Sequence, residues 1–307
     1  MTFHLFGNAL TGYGTAANNR GENEGNITTL QKLLWKGEVH TTVSAEAIRW
    51  ALRYYWQTSD SDYEVNRCWD DVKNDNVWQN PSFDDERFID DDVLGFMKAE
   101  GAKEEATDEP KSKGKKAPPK GTTTAKRGVL EVTRAVSTIP YVGDLTFNAA
   151  SGQKSRTSLY GTEVHATRYQ YGFALTPDRL KQKSRIMAVL DGLTALGEVA
   201  GNHSRFLYDF SPDSLVLRWT HDFSPRFLYC FEEEEGKISF PELVRRVEAG
   251  DINPIELWIA GAIANSEEVE DLAERGAKVF PGVKMAVENL KQVIATDLQL
   301  PKLELAR

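Results

Sequence analysis

The chain has 307 residues, 40% of them hydrophobic and 27% charged, with a formal net charge of −9. That is enough for one large globular domain with insertions, or for two domains. No apolar run is long enough to cross a bilayer, and MTFHLFGNAL has no basic stretch ahead of its apolar residues, so neither a membrane anchor nor a secretory signal is expected. The two cysteines, Cys68 and Cys230, sit far apart in dissimilar contexts, which argues against a disulfide framework and fits a reducing cytoplasm. Neither Cys-x-x-Cys nor His-x-x-x-His occurs, which speaks against zinc.

The net charge hides its distribution. Residues 60–109 carry 17 acidic against 5 basic side chains, a net of −12, and 232–307 carry 16 against 9, a net of −7. Residues 110–128 hold seven bases and no acid, and the remaining segments are close to neutral. Because charges act over only about 10 Å at moderate salt, a local basic groove remains compatible with an acidic whole.

Taken in order, residues 2–12 read as an interior strand, apolar on both faces. The loop 12–29 is rich in Gly and Asn and carries Asn19 and Arg20. Residues 31–36 and 38–43 are expected to pair as a hairpin through Lys36-Gly37. Ser44 then reads as the N-cap of a helix over AEAIRWALRYYW, with Glu46 in its first turn and a buried stripe of Ile48, Ala51, Leu52 and Tyr55. Arg49 and Arg53 stand at i and i+4 on one flank, where they either grip a polyanion or lie solvated beside local acids.

Residues 58–109 are acidic, and Trp69, Trp78, Phe83, Phe88 and Phe96 imply a small folded insertion with a modest core of its own. Asp90-Asp91-Asp92 is expected as a solvated loop or helix start, with a metal site as the competing reading. Residues 101–127 are poor in apolar bulk and rich in Lys, Pro and Gly, the composition of a disordered loop. The lysines from Lys111 to Lys126 serve either as a solubilising tether or as nucleic-acid contacts.

A strand follows in VLEVTRAVST, then a long loop with Arg156 and Tyr160 near its end, then a strand in TEVHATRYQYGFAL. Thr176-Pro177 is read as a helix start, with Ile186, Val189, Leu190, Leu193 and Leu196 buried and the helix ending at Gly201. FLYDF, SLVLRW and RFLYCF read as strands, and PGVKMAVENLKQVI as the clearest C-terminal helix. Without its insertions the order is βαββαβ, an α+β, ferredoxin-like or RNA-recognition-type core. It lacks the aromatic signature with which such a sheet stacks bases.

For chemistry, there is no Gly-x-Ser-x-Gly, no His-Glu-x-x-His and no phosphate-binding Gly-x-x-x-x-Gly-Lys-Ser/Thr. The five histidines are scattered, each reading as a structural hydrogen-bonding residue. Gly201-Asn202-His203-Ser204 is open between a helix C-cap and a phosphate-binding turn.

Five stretches together carry a resemblance: Asn-Asn-Arg at 18–20, the Gly-Asn-Ile-Thr-Thr-Leu loop, VSAEAIRWALR at 43–53, GTEVHATRYQYGFAL at 161–175, and GNHSRFLYDFSPDSLVLRW at 201–219. In this order the chain resembles DevR-type members of the CRISPR-associated RAMP superfamily. More narrowly, it resembles the Cas-seven backbone subunit of type I Cascade complexes, with a type I-B-like character.

The resemblance implies a right hand. Its RRM-like palm would be 1–57 and 129–307. An inserted fingers domain would be 58–128, ending in the Lys-rich loop, and a β-hairpin thumb would span about 137–160. Copies would form a helical filament along CRISPR RNA, with other Cascade subunits, in the cytoplasm, presenting bases for pairing with target DNA. Carried over by motif, the RNA-contacting residues would be Asn19, Arg20, Ser44, Glu46, Arg49, Arg53, Arg156, Leu159, Tyr160, Asn202, His203 and Ser204. Glu46 departs from the neutral amide of some relatives, leaving its backbone N–H as the contact, and 201–204 lack a lysine that some relatives carry. No metal, cofactor or catalytic residue is expected. The alternatives are a metal-dependent ribonuclease using Asp90–Asp92 or Glu22 and Glu24, and a DNA-binding autoregulator.

Overall fold

The computed structural model describes residues 1–17, 23–59, 63–100, 122–149, 159–200 and 207–300. It is a mixed α+β fold on one nine-stranded sheet. At its centre is β1 (His4–Thr11), every residue of which is buried. The other strands used below are β2 (Lys32–Trp35), β3 (Glu38–Val43), β4 (Ala135–Ser137), β5 (Tyr169–Leu175), β6 (Pro212–Thr220), β7 (Leu257–Gly261) and β8 (Lys278–Phe280). The helices are α1 (Ala45–Thr58), α2 (Ile89–Val93), α3 (Arg185–Leu193), α4 (Pro241–Glu248), α5 (Glu267–Glu274) and α6 (Val283–Asp297).

The sheet runs β8-β7-β6-β1-β5-β4-β3-β2, with Glu131–Val132 as a ninth strand on β5. All pairings are antiparallel except β7 with β8. Gly7 faces Phe173 across the β1–β5 ladder. A Cβ there would fall 2.2 Å from the Phe173 ring, so only glycine lets that ring lie across β1.

Both faces of the sheet are covered. On one, Leu5, Ala9, Tyr171, Phe173, Leu215 and Leu217 pack under α1, α3 and α6. Ile48, Leu52 and Trp56 of α1 meet this layer, and each such fully buried side chain is worth about 1.5–3 kcal/mol. On the other face, Phe6, Leu10 and Val216 pack against Phe227, Phe231, Phe240 and residues of α4 and α5. Two polar side chains of the sheet pin this cover. Asn8 Oδ1 accepts from the Tyr229 backbone at 2.9 Å. Gln170 exchanges two hydrogen bonds with the backbone of Phe231, at 2.7 and 3.2 Å. The face on which an open sheet would stack bases is therefore closed.

Several sequence expectations match the structure. β2 and β3 form a hairpin through Lys36-Gly37, both at positive φ, 49° and 90°. The Ser44 hydroxyl caps α1, accepting from Ala47 N at 3.2 Å. α6 covers the expected C-terminal helix.

Others need correction. Thr176-Pro177 opens only a 3₁₀ turn, Pro177–Arg179, and α3 begins at Arg185. The intervening backbone is held elsewhere: the N–H groups of Lys181 and Gln182 donate to the Asp92 carboxylate. α3 ends at Leu193 rather than Gly201, and the Thr194 hydroxyl donates back to Leu190 O at 3.1 Å. RFLYCF is no strand, because Arg226 and Tyr229 take positive φ, 61° and 54°, and its backbone bonds to Asn8 and Gln170 side chains. The described part of FLYDF, Leu207–Phe210, joins no ladder. TEVHATRYQYGFAL breaks at Arg168 into two strands in different sheets, Leu159–Thr167 and β5.

The largest correction concerns Asp90–Asp92. They are not solvated: all three lie in α2 and are at most 1% exposed. Asp90 accepts from Arg53 Nε at 3.0 Å and from the backbone of Asn66 and Arg67. Asp91 accepts from Asn66 Nδ2 and Asp84 N. Asp92 pairs with Lys126 and with Arg185, each at 2.8 Å. Within the insertion Phe83 stacks on Phe96 at 4.0 Å, while Val65, Ile89, Val93 and Leu94 join the core beneath α1.

Candidate nucleic-acid interface

The helix start that carries four of the expected contacts is built by β3 handing over to α1 through Ser44. Glu46 is exposed in the first turn, where an acid suits the positive end of the helix dipole. Arg49 and Arg53 turn toward the insertion. Arg49 Nη2 donates to the carbonyl of Leu94, beside Gly128, whose missing Cβ leaves room for both. The Arg53 side chain is 13% exposed and ion-paired to Asp90. Burial lowers the pKa of both guanidinium groups, opposed at Arg53 by Asp90 and at Arg49 by Glu46. Both are intermediate in exposure, and they differ in what they hold: Arg49 donates to a backbone carbonyl, whereas Arg53 is committed to a carboxylate.

The second part is an outer ribbon. Asp144–Ala149 pairs antiparallel with Leu159–Thr167, which also takes Ile27–Thr28 in parallel and Gly14–Ala16 on its inner half. Leu159 is 59% exposed and Tyr160 is partly exposed. Facing registers put Phe147 opposite Gly161 and Ala149 opposite Leu159, so Phe147 and Leu159 share one face. Phe147 is 74% exposed, and no sequence motif marks it. Its signal is a lone aromatic in the strand DLTFNA, flanked at i±2 by Leu145 and the small Ala149.

The ribbon is anchored at its base. The Glu163 carboxylate accepts from Leu30 N at 2.7 Å and from Lys32 Nζ at 2.6 Å. Deeper in, the Thr41 hydroxyl lies 2.7 Å from both His165 Nδ1 and the Tyr169 hydroxyl. Burial, followed by neighbouring His40, pulls the His165 pKa down to about 4, so the ring is neutral near pH 7.

Asn19, Arg20, Arg156, Asn202, His203 and Ser204 lie outside the described residues, as does most of the Lys-rich segment. Of that segment Lys126 is described, paired with Asp85 and Asp92. Thus the structure brings Ser44, Glu46, Arg49 and Arg53 together on α1, and places Leu159 and Tyr160 apart from them on the ribbon. Among the described residues no group of three or more His, Cys, Asp or Glu is arranged to hold a metal ion, and no helix is long and apolar enough to cross a membrane.

No family model matches the sequence. A curated protein of Myxococcus xanthus (strain DK1622), CRISPR-associated protein Cas7/Cst2/DevR, is 47% identical over 306 residues, spanning 93% of this chain and 96% of its own. Two solved chains share the fold. One comes from a CRISPR RNA-guided surveillance complex, with TM-score 0.56, 13% identity, and 94% and 99% of the two chains covered. Another comes from such a complex described as pre-nicking, with TM-score 0.57, 12% identity, and 95% and 100% covered.

Proposed function

The chain belongs to the CRISPR-associated Cas7/Cst2/DevR family, and from this premise we infer that it is the CRISPR RNA-binding backbone subunit of a type I Cascade effector in antiviral defence. The observation that carries the reading is identity near one half along almost the whole chain. The shared fold with chains of RNA-guided surveillance complexes supports it.

In this reading the sheet order β6-β1-β5-β4 is an RRM-like palm, the segment 58–128 is the fingers, and the ribbon around 137–160 is the thumb. Copies line the guide in a helical filament with other Cascade subunits in the cytoplasm, and the guide's bases pair with target DNA. The palm holds backbone rather than stacked bases, a role consistent with a sheet whose second face is filled by Phe227 and Phe231. Asn19, Arg20, Ser44, the backbone of Glu46, Arg49 and Asn202–Ser204 line the guide. Arg53, ion-paired to Asp90, ties α1 to the insertion one turn along from Arg49. Arg156, Leu159 and Tyr160, joined by Phe147, form the wedge of the thumb.

The subunit is non-catalytic in this reading. Its support is that the carboxylates of Asp90 and Asp92 are occupied by Arg53, Arg185 and Lys126.

Expression beside a CRISPR array tests the proposal. The purified chain should carry RNA of one spacer-plus-repeat length, and heterogeneous or absent RNA would overturn it. Cleavage of complementary RNA with Mg²⁺, lost on Asp91→Ala, would make it a ribonuclease. Sequence-specific promoter binding without RNA would make it an autoregulator.

A further inference from the structure

Where the outer ribbon joins the central sheet, three chain segments meet at one hydroxyl. The Tyr208 hydroxyl lies 2.5 Å from Thr11 Oγ1 and 3.1 Å from the carbonyls of Gly12 and of Thr167. The Gly14 backbone lies against the Tyr208 ring, where an added Cβ would stand 3.2 Å away. This fixes the turn 12–14 against the break between Thr167 and Tyr169, and at that break stands Arg168.

Arg168 is poorly satisfied. Its Nη1 reaches Thr11 O at 3.5 Å and Asp213 Oδ2 at 3.4 Å, both at the far limit of a hydrogen bond. Its Nε is buried with no partner. Native structures rarely leave a buried donor in that condition, and each such group calls for an explanation such as strain, a functional role, or a water or ion. The guanidinium stands over the Tyr13 ring, 5.8 Å from its centroid. Tyr13 is 57% exposed. An aromatic ring with solvent access beside a guanidinium fork with weak partners matches what a nucleotide needs: a stacking surface next to a phosphate clamp.

We propose that Tyr13 and Arg168 bind one nucleotide of single-stranded RNA, with its phosphate on Arg168 and its base or ribose on the open face of Tyr13. The proposal rests on the RNA-binding function inferred above. It adds two residues that the sequence motifs do not mark, and gives Asp213 a role as the carboxylate that holds Arg168 until phosphate replaces it.

The test is titration of the full-length chain with an end-labelled single-stranded RNA of mixed sequence over a range of KCl concentrations. Arg168→Gln should weaken binding about tenfold and lower the salt slope by about 0.7, one single-strand phosphate contact. Tyr13→Ala should weaken binding with the slope unchanged, and restoring an aromatic ring as Tyr13→Phe should recover most of the affinity that Tyr13→Ala loses. Asp213→Asn should tighten binding. Because Tyr13 is exposed, its variants should melt as wild type does, which separates lost binding from lost folding. Wild-type binding that survives both Arg168→Gln and Tyr13→Ala unchanged overturns this inference while leaving the RNA-binding function intact. Unchanged RNA binding with altered sedimentation would overturn it in favour of a protein contact. A wild-type chain that binds no RNA removes the functional reading itself.

Discussion

The seam between α1 and the insertion and the outer ribbon invert the ordinary rule of burial in opposite directions. In the seam, charge is inside: Asp90, Asp92 and Arg185 are buried, paired as Asp90 with the half-buried Arg53 and Asp92 with Arg185. On the ribbon, apolar bulk is outside: Phe147 and Leu159 project into solvent. A buried charge persists where it is paired, and serves architecture, here the attachment of the insertion to α1 and α3. An exposed aromatic on a strand contributes little to the core and is kept for what it meets. The arginines that most resembled phosphate ligands in sequence belong in part to the first region, whereas the better candidate wedge lies in the second.

Asp92→Ala should break this contrast most strongly. It takes from Arg185 its carboxylate partner and from Lys126 one of two, and leaves the backbone N–H groups of Lys181 and Gln182 without their acceptor, so a loss of about 3 kcal/mol is expected in denaturant melts. The Asp92 carboxyl sits below its usual range because the hydrogen bonds from Lys126 and Arg185 outweigh the raising effect of burial, so acidification should weaken the seam too. A loss below 1 kcal/mol would mean the seam is wet.

Acid should act next, at the base of the ribbon. The folded chain holds His165 neutral to about pH 4, while the unfolded chain protonates it near 6.5. The unfolded state therefore binds more protons between these values, and stability must fall as pH drops from about 6.5 to 4. The expected loss is on the order of 3 kcal/mol, and His165→Asn should flatten that part of the pH–stability curve. A profile that does not change with this substitution would show the ring to be solvated.

Glu163→Gln sharpens the comparison at smaller scale. It removes the ion pair with Lys32 yet keeps an acceptor for Leu30 N, so a loss of about 1 kcal/mol should appear, together with faster amide exchange in Asp144–Ala149. Phe147→Ser with Leu159→Ser should do least to stability, within about 0.5 kcal/mol, yet change the pattern of RNA bases open to chemical modification. A large loss of stability would show these residues to be core rather than wedge.

Local chemistry made part of the molecule legible. Ser44 announces a capped helix because its hydroxyl needs only the N–H three residues on. Lys36-Gly37 announces the hairpin because Gly37 takes positive φ at no steric cost, while Lys36 is carried into the same region by the turn. Helical spacing marked Ile48, Ala51 and Leu52 of α1 and Ile186, Val189, Leu190 and Leu193 of α3 as buried, but it put Tyr55 where the structure buries Trp56, and Leu196 lies past the end of α3. The family, too, was readable from five short stretches taken in order.

Long-range partners decided the rest. Nothing in Asp-Asp-Asp tells that Arg53, Lys126 and Arg185 will surround it, since they come from three segments 37, 34 and 93 residues away. Thr176-Pro177 has every local mark of a helix start, but the backbone beyond it is captured by Asp92. RFLYCF reads as a strand until Asn8 and Gln170 claim its N–H groups. Propensity and periodicity act between neighbours in sequence, so they determined caps, turns and buried stripes. Which charges are inside, which sheet face is closed, and where Arg168 comes to stand over Tyr13 depend on contacts closed across the whole chain, and only the tertiary structure fixes those.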